Sequence, residues 1–197
     1  VAPAYQLVDL PLVARWRTYV ENGGHLILSA RTGTKDRRGH LWEGLWAAPI
    51  LELIGARITL YDVLPSPVVG HVKASPSEKA HEWSAWAEVV RPAEGTTVLA
   101  KHEDQFYAGA AAAITRKLGR GTVTYVGVET VGGDLEREIV RGVFAGAGVA
   151  VEDYPDQVFV DWRDGFWIAT NFSSTDQSIP IPTGVTPLVG ARRLQPA

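Results

Sequence analysis

The strongest constraint on the fold is an amphipathic helix that ends at two glycines and leads directly into a short apolar run. Apolar residues recur at helical spacing over residues 10–22, and Asp9 is the predicted N-cap. Gly23-Gly24 ends the helix because glycine adopts the left-handed conformation without a Cβ clash. Residues 25–30 form a short apolar run, which is typical of a buried parallel strand. This order of elements predicts an α/β unit.

A second unit of the same kind follows later in the chain. Residues 122–128 read as another buried strand, and a helix then runs from the predicted N-cap Asp134 to about Ala147. Between the two units we predict a short helix and several strands. The helix spans residues 49–54, and the strands span residues 57–61, 81–90, 96–102 and 111–117.

The character of the chain changes near residue 152, where we predict a domain boundary. Residues 158–163 and 166–172 read as two strands joined by Asp164-Gly165, a dipeptide that suits a type I′ hairpin turn. Ile179, Ile181 and Leu188 lie among prolines in a predicted short β tail. A segment of under 50 residues is too small for a hydrophobic core of its own, so we expect its stability to depend on the first domain.

Composition excludes several classes of protein. The 197-residue chain has a formal net charge of −3 and a pI of about 6.0, so no nucleic-acid partner is expected. No apolar run approaches the roughly 18 residues of a membrane span, so we expect a soluble protein. The sequence leaves the compartment open, and the bacterial cytoplasm and periplasm are the two expected locations. The absence of cysteine excludes disulfides and thiolate nucleophiles. The absence of methionine favours a piece of a longer protein over a chain with a processed N-terminus.

Several motifs, taken in order, resemble glycoside hydrolase family 42 β-galactosidases. The first part of the chain resembles that family's trimerisation domain, through APAY (residues 2–5), YVENGGHLIL (19–28), RTGTKD (31–36), PILELIGA (49–56), QFYAG (105–109) and KLGRGTVTYVG (117–127). The last part is similar to the family's small C-terminal β domain, through DGFW (164–167), NFS (171–173) and IPIP (179–182). Each motif alone is weak, and their order and spacing carry the resemblance.

The resemblance implies a fold, a homotrimeric assembly, and a catalytic domain that lies outside this chain. Residues 1–151 would form a flavodoxin-like α/β domain, with an open parallel sheet and helices on both faces as in class I glutamine amidotransferases. Residues 152–197 would form a small antiparallel β domain. The chain would assemble as a homotrimer and support a catalytic (β/α)8 barrel that it does not itself contain. The intact enzyme would bind and hydrolyse terminal non-reducing β-D-galactosides, and neither a cofactor nor a metal is implied.

The chain offers no catalytic residues of its own. A retaining glycosidase needs two carboxylates about 5–5.5 Å apart, whereas the candidate carboxylates read as solvated surface groups. These are Glu43, Glu52, Glu103, Asp104, Glu129 and Asp134. No pair of the five histidines has the spacing of a metal site, and no G-x-S-x-G elbow is present.

A long polar and aromatic loop at residues 31–48 is the most informative segment for function. Loops of this length in compact domains are usually functional or disordered, and in an open α/β sheet ligands and partners usually meet the loops that follow strands. We predict that it forms subunit contacts or a wall of a neighbour's sugar site, through Arg31, Lys35, Asp36, Arg37, Arg38, His40, Trp42, Glu43 and Trp46. The alternative is that Trp42 and Trp46 merely cover the short helix.

Seven tryptophans support a rival hypothesis, a stand-alone carbohydrate-binding or sensing domain. Trp83 and Trp86 are three residues apart, so on a strand they would face opposite sides. Trp162 and Trp167 flank the predicted hairpin turn symmetrically, and cross-strand packing explains them without a ligand. An inactive amidotransferase-like relative is a third, weaker interpretation.

Overall fold

The predicted first helix and strand are present, and they begin the larger of two structural units. The computed structural model describes residues 1–179, 184–191 and 193–196. The larger unit spans Val1–Gly148 and the smaller Val149–Ala197. The helices are α1 (Leu10–Glu21), α2 (Ala48–Ile54) and α3 (Asp134–Gly146), with a 3₁₀ turn at Val131–Gly133. The strands of the larger unit are β1 (His25–Ser29), β2 (Ala56–Asp62), β3 (Gly70–Ala74), β4 (Ala80–Pro92), β5 (Thr96–His102), β6 (Ala111–Leu118), β7 (Gly121–Val126) and β8 (Val128–Thr130).

Among the described residues, the larger unit holds one eight-stranded sheet. Neighbouring strands follow the order β1-β7-β6-β5-β3-β4-β2, and β8 pairs with β4. The pairing of β1 with β7 is parallel, whereas the other named pairings are antiparallel. The predicted open parallel sheet therefore describes only the β1–β7 pair. Short turns link most strands from β3 to β7, and a tight turn reverses the chain direction, which makes consecutive strands antiparallel.

Helices cover both faces of this sheet, as the sequence predicts. Buried residues of α1 and α2 share one hydrophobic cluster with Leu26 and Leu28 of β1. Leu135 and Ile139 of α3 share the other cluster with Ile27. Successive residues of a strand point to opposite faces, so β1 is buried on both sides.

No helix among the described residues is long and apolar enough to cross a membrane.

Local signals define the ends of α1. Oδ1 of Asp9 accepts a hydrogen bond from the Leu12 amide at 2.8 Å, which confirms the predicted N-cap. Past the helix end the backbone approaches β7 very closely. A Cβ placed on Gly121 would lie 2.0 Å from the carbonyl oxygen of Gly24 and 2.4 Å from that of Val20. Only glycine fits at the start of β7.

Two local predictions differ from the structure, and one strand was not predicted. Asp134 is the first residue of α3 rather than its N-cap, because Asp134 is already helical and Gly133 occupies the cap position. The predicted strand at residues 122–128 is interrupted at Gly127 and continues as β8. The sequence patterns do not predict strand β3, which follows the proline-rich segment and pairs with β4 and β5.

The smaller unit contains the predicted hairpin. Strands β9 (Val158–Arg163) and β10 (Phe166–Asn171) are antiparallel, and Asp164 and Gly165 have φ values of 50° and 90°. These positive values confirm the turn geometry expected for Asp-Gly. A second antiparallel pair joins β11 (Gln177–Ser178) to β12 (Arg193–Leu194). Of the predicted β tail, Ile179 directly follows β11, Leu188 lies in a bend, and Ile181 lies outside the described residues.

Candidate functional site

The predicted functional loop connects β1 to α2 and lies at the carboxyl edge of the parallel strand pair. We call residues 30–47 the β1–α2 loop. Ser29, the last residue of β1, is in register with Val126, the last residue of β7. The loop that leaves β1 and the segment that leaves β7 therefore start side by side. This edge is where α/β sheets usually form their sites.

A buried carboxylate, Glu88 of β4, lies beneath this loop and receives four hydrogen bonds. Its side chain is fully shielded from solvent. Oε1 accepts from the Arg31 amide at 3.1 Å, from Nε1 of Trp46 at 3.1 Å and from Nε1 of Trp86 at 3.2 Å. Oε2 accepts from the hydroxyl of Tyr125. Two of the four donors, Arg31 and Trp46, belong to the β1–α2 loop.

Two opposing effects act on the charge of Glu88. Burial raises the pKa of its carboxyl above the ordinary value of 4.5, while the hydrogen bonds from Tyr125, the Arg31 amide and the two indoles oppose that rise. Burial also raises the pKa of Tyr125 well above its usual range, and the neighbouring Glu88 adds to this rise. Tyr125 therefore stays a hydroxyl and remains a donor to the carboxylate. The arrangement is a desolvated acid surrounded by donors.

Arg31 ties the start of the loop to the strands on either side. Its backbone has a φ of 66°, in the left-handed region that side-chain-bearing residues rarely adopt. The guanidinium carbon lies 4.5 Å from the centre of the Trp86 ring, a cation–π geometry. Nη2 lies 3.4 Å from Oε1 of Glu129, a residue of β8. The backbone conformation thus directs Arg31 towards both partners at once.

Three aromatic rings pack at the other end of the loop. The Trp46 ring lies 4.7 Å from Tyr61 of β2 and 6.2 Å from Trp86. Tyr61 and Trp86 stack almost in parallel, with 4.8 Å between their centroids. The Arg31 guanidinium lies over the Trp86 ring, so Trp86 is engaged by both Tyr61 and Arg31. The cluster holds the end of the loop against β2 and β4.

The middle of the loop is held by backbone pairing and by a turn. Lys35 donates its amide to the carbonyl of Gln6 at 3.0 Å and accepts from the Val8 amide at 2.9 Å. Oδ1 of Asp36 accepts from the amides of Arg38 and His40 at 2.8 and 2.9 Å. These backbone hydrogen bonds lower the pKa of Asp36, which stays ionised.

The loop tip, residues 37–41 and 43–45, is exposed. Nε of Arg37 donates to Oδ2 of Asp9 at 2.8 Å, which joins the tip to the start of α1. Leu41 and Leu45 are 59% and 50% exposed, so both present apolar surface to solvent. The side chains of Arg38, His40 and Glu43 are exposed beside them.

The structure therefore divides the predicted site residues other than Trp42 into three groups. Arg31 and Trp46 converge on Glu88, whereas Arg37, Arg38, His40 and Glu43 lie on the exposed tip and Lys35 and Asp36 shape the loop between. Trp42 is half-buried, and its amide donates to the Thr34 carbonyl at 3.3 Å. Trp46 also packs against the hydrophobic cluster that contains residues of α2.

Sequence reasoning missed Glu88, its donors Trp86 and Tyr125, and the stacked ring of Tyr61 as members of this site. One signal was present: Glu88 is a single charge among Ala87, Val89 and Val90, all of which are buried. A charged residue inside an apolar run is almost never fully buried without partners, so it pointed to a hydrogen-bonded carboxylate.

The other candidate groups remain dispersed in the structure. Within the described ranges there is no group of three or more His, Asp or Glu residues that could hold a metal ion. His71 Nδ1 lies 2.7 Å from Asp104, and His25 Nδ1 lies 2.8 Å from the Thr122 hydroxyl. His102 is buried, and its desolvation lowers its pKa, so it is neutral at physiological pH.

Solved β-galactosidases share this fold. The chain superimposes on the polyextremophilic β-galactosidase from the Antarctic haloarchaeon Halorubrum lacusprofundi with a TM-score of 0.83 and 28% identity, covering 99% of this chain and 29% of that one. The cold-adapted β-galactosidase from Rahnella sp. R3 gives a TM-score of 0.82 at 21% identity, over 98% of this chain and 30% of that one. The chain thus has the mixed α/β fold found in part of each of these larger proteins.

Sequence comparison specifies the family. The family model described as "Beta-galactosidase trimerisation domain" matches residues 1–150. The β-galactosidase BgaH of Haloferax lucentense is 34% identical over 191 residues, which are 96% of this chain and 28% of that protein. The β-galactosidase Bga of Halorubrum lacusprofundi is 31% identical over 190 residues, or 91% of this chain and 27% of that protein. The chain therefore belongs to the trimerisation-domain family of glycoside hydrolase family 42 β-galactosidases, and it spans about a quarter of the length of these relatives.

Proposed function

We propose that this chain is the non-catalytic assembly part of a β-galactosidase and that it associates as a homotrimer. The observation that carries the proposal is the trimerisation-domain match over residues 1–150. In this proposal the catalytic (β/α)8 barrel belongs to the parent protein, which hydrolyses terminal non-reducing β-D-galactosides. Residues 1–151 serve as the trimerisation domain, and residues 152–197 form a small accessory β domain.

A flavodoxin-like origin of the larger unit is part of the same proposal. It is supported by the parallel β1–β7 pair and by helices on both faces of the sheet. The antiparallel strands β2–β6 would then be an elaboration of an open α/β sheet, as in a relative of class I glutamine amidotransferases. The chain has no cysteine, so the amidotransferase nucleophile is absent.

The exposed tip of the β1–α2 loop is the proposed contact with a neighbouring subunit. Leu41 and Leu45 expose apolar surface, and Arg38 and His40 add polar groups around it. Apolar residues bordered by polar ones are typical of subunit interfaces. In the intact enzyme the same tip would form a wall of the neighbour's galactoside site.

Sedimentation velocity of the full 197-residue chain tests the assembly. We expect a trimer whose association weakens in a Leu41→Ser, Leu45→Ser double variant, because two exposed apolar contacts are lost. Phe106→Ser is the matched control, since Phe106 is 86% exposed on another loop. A monomeric wild-type chain would contradict the assembly proposal, and an unchanged trimer in the double variant would remove the tip from the interface.

Isothermal titration with galactose distinguishes the binding-module hypothesis. The rings of Trp46 and Trp86 are engaged with each other, with Tyr61 and with Arg31, so we expect no heat of binding to the isolated chain. Saturable binding to a monomeric chain would instead favour a stand-alone carbohydrate-binding domain.

A further inference from the structure

One carboxylate oxygen holds both ends of the β1–α2 loop. Oε1 of Glu88 accepts the amide of Arg31, the second residue of the loop, and the indole N–H of Trp46, the last but one. The two donors are separated by most of the loop's length, yet they meet at a single buried atom. A loop closed on itself in this way samples far fewer conformations than one joined only by its flanking elements.

Stability alone does not account for this arrangement. A buried charged group pays a desolvation penalty, and replacing such groups with well-packed apolar residues is often neutral or stabilising. The strand around it, with Ala87, Val89 and Val90, is otherwise apolar and buried. An apolar side chain at position 88 alone would leave the four donors to Glu88 without their acceptor and would separate the two loop ends.

The donors to Glu88 fall into two kinds that experiments can separate. Trp46 lies on the loop, whereas Trp86 lies on β4, two residues from Glu88 itself. Both indoles donate to the same oxygen at nearly the same distance, 3.1 and 3.2 Å. Only the first of these hydrogen bonds connects the loop to the sheet.

We propose that Glu88 is a positioning residue, whose buried carboxylate fixes both ends of the β1–α2 loop and so gives the exposed tip a single conformation for a second copy of this chain. The positioning of the loop stands on the contacts alone. The identity of the partner rests on the proposed function. Glu88 is fully buried, so it acts on the tip through Arg31 and Trp46.

Hydrogen–deuterium exchange of the full chain tests the positioning role with a matched pair of variants. Trp46→Phe and Trp86→Phe each keep an aromatic ring and each remove one indole donor to Glu88. We expect the loop amides of Arg31, Lys35 and Trp42 to exchange about tenfold faster in Trp46→Phe, from the loss of one hydrogen bond to a charged acceptor. In Trp86→Phe the same amides should stay close to wild-type exchange, because phenylalanine keeps a ring face against the Arg31 guanidinium and the hydrogen bond from Trp46 to Glu88 is retained. Equal exchange in the two variants would overturn the proposal.

Substitution at position 88 gives a second, independent arm. Glu88→Leu removes all acceptors and should release the loop, whereas Glu88→Gln keeps Oε1 as an acceptor and should rescue most of the protection. Leu135→Ala, in the other hydrophobic cluster, controls for a general loss of stability. If Glu88→Leu unfolds the chain, the exchange rates of the Trp46→Phe and Trp86→Phe variants still test the positioning role.

Sedimentation velocity of the same variants then separates the two claims. A released loop with weakened association supports both the positioning role and the interface. A released loop with an unchanged trimer would reject the tip as the partner surface and leave Glu88 as its positioning residue. A loop that stays protected in Glu88→Leu overturns the positioning role whatever the assembly state.

Discussion

Glu88 is the residue whose ionisation couples most directly to folding. Burial raises the pKa of its carboxyl above 4.5, so the folded chain binds the proton more tightly than the unfolded chain does. A group of this kind contributes stability that is fully present below pH 4.5 and is lost as the pH rises through the folded-state pKa. The buried carboxylate is therefore least favourable to folding at neutral and higher pH.

We expect Glu88→Gln to change how stability depends on pH. Because glutamine does not ionise, the free energy of unfolding of the variant relative to the wild type should be constant below about pH 4.5 and then rise with pH. Urea denaturation at a series of pH values measures this difference. Glu43→Gln, on the exposed tip, is the control and should show no such trend. A flat difference for Glu88→Gln would mean that burial does not shift this pKa.

Single residues were the scale at which the sequence was least informative. The loop residues could be selected because they follow a strand, and Arg31 and Trp46 do reach the site. Glu88 could be noticed only as a charge in an apolar run, and its partners Arg31 and Tyr125 could not be assigned, because they lie 57 and 37 residues away along the chain. Only the pairing of distant strands brings them together.

At the scale of elements, local patterns predicted most helices and strands to within a few residues. Hydrophobic spacing and glycine stops located α1, α2, β1, β5 and the β9–β10 hairpin, because these signals act within a few residues of one another. Whether neighbouring strands run parallel or antiparallel was harder to predict from the sequence. The antiparallel sheet from β3 to β7 follows from its short turns, whereas the prediction of parallel strands extended the one β1–β7 pair to the whole sheet.

The start of β7 gives a sharp prediction for a glycine substitution. Gly121→Ala should destabilise the chain by about 1–3 kcal/mol, because the new Cβ would overlap the carbonyl oxygens of Gly24 and Val20. Thermal and urea unfolding measure the loss.

Gly142→Ala is the matched control for this substitution. Gly142 lies within α3, and a Cβ added there would meet no neighbouring atom within 4 Å, so alanine should stabilise the helix by about 0.5–1 kcal/mol. A change of the same sign and size for the two glycines would contradict the close approach of β7 to the end of α1.

At the scale of the whole molecule, the larger unit carries its own core. Both hydrophobic clusters consist of residues that precede Gly148. We therefore expect a chain that ends at Gly148 to unfold cooperatively and to keep its near-ultraviolet circular dichroism. A gradual, non-cooperative transition would show that the larger unit does not fold by itself.

The smaller unit should behave differently when isolated. Large apolar side chains on both faces of the β9–β10 hairpin are exposed within it, including Phe159, Trp162, Phe166 and Trp167. A hairpin alone is marginally stable in water. A peptide of residues 149–197 should show no sigmoidal melting transition by circular dichroism, and a sharp one would contradict this expectation.

The long sequence separation around Glu88 has a consequence for the order of events in a cell. Its carboxylate lies 57 residues after Arg31 and 42 after Trp46. Contacts between distant positions form late, because long segments must be closed before they are made. The β1–α2 loop thus acquires its final shape only after β4 has joined the sheet. In the proposed assembly, the tip would therefore become available to a second copy of the chain only after β4 has been synthesised and has paired.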